Sequence, residues 1–139
     1  MINTSTKLLF MDTSAHYVLA NRKDPVHGKA KQFLSSLSSQ NVIIVVTNFI
    51  IAEIYTLILR RLGRENAIQY VSNLSMSSWI IRVSEEDEKT GWNILLRYQD
   101  KDFSYVDAVS FAVMERLKIK EIFAFDEHFE QYGFRLLPT

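Results

Sequence analysis

Four acidic residues in this chain stand where a carboxylate does chemistry rather than keep a surface wet. Asp12 follows the apolar run Lys7-Leu8-Leu9-Phe10-Met11, and Asp126 follows Phe123-Ala124-Phe125 in the same way. In an open α/β sheet, ligands bind just beyond the carboxyl ends of the strands, so carboxylates there point into that crevice. Glu53 lies inside the most apolar helical stretch, with Phe49, Ile50 and Leu57 at i−4, i−3 and i+4. Asp107, in Phe103-Ser104-Tyr105-Val106-Asp107-Ala108, has Phe103, Phe111 and Met114 at i−4, i+4 and i+7. An acid on an apolar face is rarely buried without a partner. Each also has a plain structural alternative. Asp12 before Thr13-Ser14 suits a helix N-cap. Asp107 three residues after Ser104 suits a capping box. Glu53 suits an ion pair with an arginine.

Two carboxylates about 4 Å apart repel by roughly 4 kcal/mol at an effective dielectric near 20, so four that converge need cations or protons. Oxygen-only donors suit hard ions, and Mg²⁺ or Mn²⁺ is held by carboxylates together with water and substrate phosphate. Such ions activate water and steady the leaving oxygen of a phosphodiester. They also draw in a polyanion, which the formal net charge of zero does not do. Ser104 and Ser110 lie near Asp107 and can hydrogen-bond a carboxylate or bound water. His16, His27 and His128 lack metal-ligand spacing. His128 is near Asp126, in a surface or supporting place. Arg60, Arg61 and Arg64 at a helix end read equally as a phosphate patch or as cations on a helix dipole.

The elements that must position these groups alternate along the chain. Strands are expected at 7–11, 42–46, 79–83 and 121–125, with a weak edge strand at 134–137. The unbroken β-branched run Val42-Ile43-Ile44-Val45-Val46 reads as a strand buried on both faces. Helices are expected at 14–20, at 48–62 up to Gly63, and at 64–74. Further helices should cover 84–98, 104–117 and the short 127–132. Asp24 can cap another, with Pro25 at its first position, that runs to about Leu37. This alternation predicts the α/β class: a three-layer α/β/α sandwich around a central, mainly parallel sheet of four to five strands, with right-handed crossovers. Asp12 and Asp126 then share one edge of that sheet.

A chain of 139 residues with 47% apolar and 23% charged residues fits a single globular domain over 1–139. No cysteine is present, which excludes disulfides, zinc–thiolate sites and thiol catalysis. Residues 1–6 are polar, unlike a signal peptide. The most apolar helix carries Glu53, Arg60 and Arg61 and is too short and charged to span a membrane. These features point to a cytoplasmic protein with no membrane partner.

Four motifs in order resemble the PIN domain, and within it the small VapC-type toxins of bacterial toxin–antitoxin systems. They are Leu8-Leu9-Phe10-Met11-Asp12-Thr13-Ser14, Thr47-Asn48-Phe49-Ile50-Ile51-Ala52-Glu53, Phe103-Ser104-Tyr105-Val106-Asp107-Ala108 and Ala124-Phe125-Asp126-Glu127-His128-Phe129. The resemblance implies a Mg²⁺- or Mn²⁺-dependent ribonuclease with its acidic site at the strands' carboxyl ends. Asp12, Glu53 and Asp107 would take the core metal-binding and catalytic positions and Asp126 the more variable fourth. Ser14 and Ser104 match supporting hydroxyl positions. An RNA substrate, a small antitoxin whose peptide enters the groove, and a homodimer are implied as well. Two other readings stand beside it. One is a PIN-fold protein that binds RNA or a partner without cutting. The other, a Mg²⁺-binding receiver-like signalling module, wants an acceptor aspartate after the third strand, where Val83 is followed by Ser84.

Overall fold

The strand Lys7–Met11 (β1) is the centre of the sheet. Apart from the exposed Lys7 at its start it is apolar, and Leu9, Phe10 and Met11 are buried. A computed structural model of the chain describes residues 5–139; the polar start at 1–4, read above as unlike a leader, lies outside them. β1 is flanked by Val42–Thr47 (β2) and Glu121–Phe123 (β4). Trp79–Ile81 (β3) and Arg135–Leu137 (β5) form the edges, giving the order β3-β2-β1-β4-β5. Every pairing is parallel, so all five strands present their carboxyl ends on one side. The strand order reverses direction at β1, and the crevice between the ends of β1 and β4 is the topological switch point where such sheets bind ligands. Asp12 N–H donates to Phe123 O at 3.0 Å and ties the two ends together.

Seven α-helices cover the sheet among the described residues: Thr13–Ala20 (α1), His27–Ser36 (α2), Asn48–Leu62 (α3), Arg64–Ser77 (α4), Glu85–Arg97 (α5), Tyr105–Arg116 (α6) and His128–Tyr132 (α7). Alternation along β1 separates two cores. Leu9 and Met11 join Ala15, Val18 and Ala30 of α1 and α2. Phe10 joins a larger core with Ile50, Ile54, Ile94 and Phe111 from α3, α5 and α6. Helices thus lie on both faces of the five-stranded sheet, the three-layer α/β arrangement expected. No helix among the described residues is long and apolar enough to cross a membrane.

Where the elements differ from expectation, side chains have taken over backbone partners. β3 stops at Ile81 because Val83 N–H donates to Asn48 Oδ1 at 2.8 Å rather than to a neighbouring strand. β4 stops at Phe123, and Phe125 N–H donates to Ser14 Oγ at 3.0 Å. Asp126 therefore sits on a short extension beyond β4, not directly after it. Asp24 does not cap α2. Its carboxylate accepts Val26 N–H at 2.9 Å in a local turn, and the helix begins at His27. The first half of β2 is only half-buried, and α4 continues to Ser77. Gly63, at φ +93°, ends α3 and lets α4 begin at once.

Helices α5 and α6 form an antiparallel pair held at two levels. Asp87 closes the capping box of α5 with Ser84 and forms a bidentate pair with Arg116, at 2.8 and 2.9 Å, in the last turn of α6. Nearer the middle, Gly91 of α5 meets α6 so closely that a Cβ would stand 3.0 Å from Val109 N. Alanine is the better helix former by about 1 kcal/mol. Against rigid backbone the overlap costs more, about 1–3 kcal/mol. Gly91→Ala is expected to lower the urea midpoint; an unchanged or higher midpoint would show that the helices separate without cost.

Candidate active site

Asp12 is both a helix cap and a buried acid, because the end of β1 is also the start of α1. Its carboxylate accepts Ser14 N–H at 3.3 Å and the Ser14 hydroxyl at 2.9 Å. Ser14 Oγ in turn accepts Phe125 N–H, so one hydroxyl joins Asp12 to the segment that carries Asp126. Burial, and to a lesser degree the charge of Asp107, pushes the Asp12 carboxyl up to about 7, against the hydrogen bonds from Ser14 and the Thr13 backbone. An N-cap aspartate in water would be fully ionised well below that pH.

Glu53, half-buried on α3, reaches across to α1, where its carboxylate accepts a short hydrogen bond from the Thr13 hydroxyl. Its partner is thus a threonine, not the arginine considered above. Burial raises its pKa, and the charges of Asp107 and Asp126 add to the rise. On α6, Asp107 makes the full capping box: Asp107 N–H donates to Ser104 Oγ at 3.0 Å, and Asp107 Oδ2 accepts Ser104 N–H at 3.1 Å. The same oxygen meets His128 Nδ1 at 2.8 Å, while Asp126 Oδ1 lies 3.5 Å from that nitrogen. Burial lowers the His128 pKa, but the Asp107 hydrogen bond and the charges of Asp126, Asp107 and Glu127 outweigh it, and the net shift is upward. Ligand atoms of Asp107, Asp126 and His128 lie within 4.8 Å of one another.

The four sequence-chosen acids therefore come to one edge: the charge of Asp107 reaches Asp12 and Glu53, that of Asp126 reaches Glu53, and Asp126 lies beside Asp107. Ser14 and Ser104 touch Asp12 and Asp107 directly. Ser110 does not: its hydroxyl is buried with no hydrogen-bond partner among the described residues. His16 and His27 are spent on Tyr70 and the Val18 carbonyl. Two neighbours of the site were weakly signalled in the sequence. Thr13 stands beside Asp12, and only the α1–α3 packing brings its hydroxyl to Glu53. His128 was placed near Asp126, but its bond to Asp107 depends on where α7 docks.

The sequence that builds this geometry matches the PIN domain over residues 9–135. The chain belongs to the PIN domain family. Among curated PIN-domain relatives it is similar to the 23S rRNA-specific endonuclease VapC20 of Mycobacterium tuberculosis, strain H37Rv. They are 34% identical over 128 residues, covering 91% of this chain and 95% of the relative. The crystal structure of M. tuberculosis VapC20, described as a sarcin–ricin loop cleaving toxin, superposes with a TM-score of 0.83 at 33% identity, covering 91% of this chain and 95% of that one. The fold is also shared with VapBC2 from Rickettsia felis bound to a promoter DNA fragment, at TM-score 0.74, 11% identity, and 93% and 96% coverage.

The donor chemistry of this PIN-domain site fits a divalent ion. It offers carboxylate oxygens, and the upward shifts of Asp12 and Glu53 report negative charge crowded into a dry place. The sign of the Asp12 shift sets a pH dependence in metal-free protein. Its folded-state pKa is above the model-peptide 3.8, so its stabilising protonation is complete below that value and is lost as pH rises through about 7. Asn caps a helix as well as Asp and cannot ionise. In EDTA, Asp12→Asn is expected to melt higher than wild type near pH 8, with the gap clearly narrower at pH 5. A gap equal at both pH values in scanning calorimetry would contradict the assignment.

Proposed function

We propose that the protein is a divalent-metal-dependent endoribonuclease acting as the toxin of a toxin–antitoxin pair. The observation that carries this reading is the convergence of Asp12, Glu53, Asp107 and Asp126 at the switch point of a PIN sheet. The similarity over most of both chains to an endonuclease specific for 23S rRNA supports it. One PIN domain spanning 1–139 performs the reaction in the cytoplasm. Its substrate is a structured RNA whose unpaired loop enters the crevice.

Asp12, Glu53, Asp107 and Asp126 are the catalytic and metal-holding carboxylates, for Mg²⁺ or Mn²⁺. When bound, the ion supplies an activated water and offsets the charge that develops on the phosphodiester. The chain's own groups prepare the place. Ser14 orients Asp12, Ser104 orients Asp107, and Thr13 orients Glu53. His128 bonds Asp107 and lies beside Asp126, holding the two acids in place. Groups that orient ligating carboxylates in this way are typically worth about 10–100-fold in affinity or activity. The fold shared with VapBC complexes supports a small antitoxin as partner, and the family resemblance supports a homodimer.

Cleavage of a panel of structured RNAs by wild type, Asp12→Asn and Asp107→Asn tests the reading, with Mg²⁺, with Mn²⁺ and with EDTA. Wild type should cut only with metal, and each variant should lose roughly 100-fold or more. Mn²⁺ should also raise the melting temperature of wild type and not of Asp107→Asn, since only a bound ion stabilises. Equal cutting by wild type and Asp12→Asn would assign the activity to a contaminant. Metal binding without cutting would favour a non-catalytic PIN protein.

A further inference from the structure

The acidic crevice opens onto a groove of about 770 Å³ whose lining includes Phe49, Glu53, Leu57, Arg60, Tyr105 and Val106. Glu53 belongs to both, so the groove is continuous with the acidic edge. Its two aromatic residues come from the helices that present the acids. Phe49 is one turn before Glu53 on α3, and Tyr105 is two residues before Asp107 on α6. The rings are stacked, 6.3 Å apart with an interplanar angle of 27°. Tyr105 remains 40% exposed although it packs on Phe49, and its hydroxyl is pinned by Glu88 at 2.9 Å. The ring is therefore fixed in orientation while part of it stays open.

We propose that Tyr105, backed by Phe49, is a stacking platform for an unpaired base next to the scissile phosphodiester, and that Arg60 takes a neighbouring phosphate of the same strand. The assignment rests on the ribonuclease reading above and adds a substrate-positioning subsite to it. Bases of single-stranded RNA are held by aromatic faces, and the backbone by nearby cations. Arg60 is exposed, pairs with no carboxylate among the described residues, and lies two turns along α3 from Glu53, on the order of 10 Å. Charge also gives the strand a direction. Beyond Tyr105 the surface carries Glu85 and Glu88 with one cation, Lys89, which already pairs with Glu85 and Glu86. That side stays net acidic, so the backbone leaves the platform toward Arg60, which has no carboxylate paired to it among the described residues. An apolar peptide would use the same walls but would have no need of a cation at the far end.

The test uses a short unpaired oligoribonucleotide carrying 2-aminopurine, with Mg²⁺, bound to Asp12→Asn protein so that nothing is cut. Stacking should quench the fluorophore. Adding Tyr105→Ala should abolish the quench and weaken binding about tenfold, whereas Tyr105→Phe, which keeps the ring, should bind like the parent. Arg60→Ala should weaken binding and flatten its salt dependence. On the otherwise wild-type chain, Tyr105→Ala should raise KM about tenfold and leave kcat within about threefold. Binding and quench unchanged in Tyr105→Ala would overturn the platform and leave the groove to a peptide. No binding by the parent would also overturn it, while RNA cutting by wild type would keep the nuclease reading. Quench without cutting under any metal would do the reverse. Should Tyr105→Ala fail to fold, Arg60→Ala and Tyr105→Phe still decide: loss of the quench in Tyr105→Phe sinks the proposal.

Discussion

The burial of carboxylates beside one another is the constraint that shapes this molecule. Asp12 is buried, Asp107 nearly so, and Glu53 and Asp126 are close enough for their charges to matter. Left to themselves, such groups would spread into water. Three are held because they are tied to fixed backbone: Asp12 between β1 and α1, Asp107 in the first turn of α6, and Asp126 on the extension of β4 that Ser14 anchors; Glu53 is held by the Thr13 hydroxyl. The sheet supplies the common edge, since five parallel strands end on the same side. The upward shift of Asp12 comes from burial first and from the charge of Asp107 second.

The atoms that cap two helices are also atoms of the proposed metal site. Asp12 accepts Ser14 N–H as an N-cap and Asp107 closes a capping box with Ser104, so the first turns of α1 and α6 fix two of the four acids. The choice between a structural and a functional role for these residues was therefore a false one. A helix start offers unpaired N–H groups and positive potential, which stabilise a carboxylate whether or not it later meets an ion. Asp87 gives the contrast. It makes the same box with Ser84, but Arg116 neutralises it, and its pKa is lowered, because the hydrogen bonds from Arg116 and Ser84 outweigh its burial. A guanidinium lies across from the Asp87 cap, whereas His128 and Asp126 lie across from that of Asp107.

Much of the architecture was legible before any coordinates. β-branched and apolar runs bounded by polar turns marked the strands, and apolar residues at helical spacing around Glu53 and Asp107 marked α3 and α6. Element ends were least legible where a side chain substituted for a backbone partner. Asn48 shortened β3 and Ser14 shortened β4. Asp24 held a turn instead of starting a helix, since its carboxylate reached the N–H two residues ahead before a helix could form.

By itself the sequence determined the class of fold and the existence of an acidic edge. An aspartate after a buried strand, and acids on apolar helix faces, carry a cost that local pattern alone reveals. It could not say which groups meet across elements. That Thr13 binds Glu53 over 40 positions, that His128 bridges Asp107 and Asp126, and that Phe49 stacks on Tyr105 depend on how α3, α6 and α7 dock. Only the tertiary structure decided these contacts. Their strength falls off within a few ångströms, and distances of that size between remote segments are set by the packing of the core beneath them.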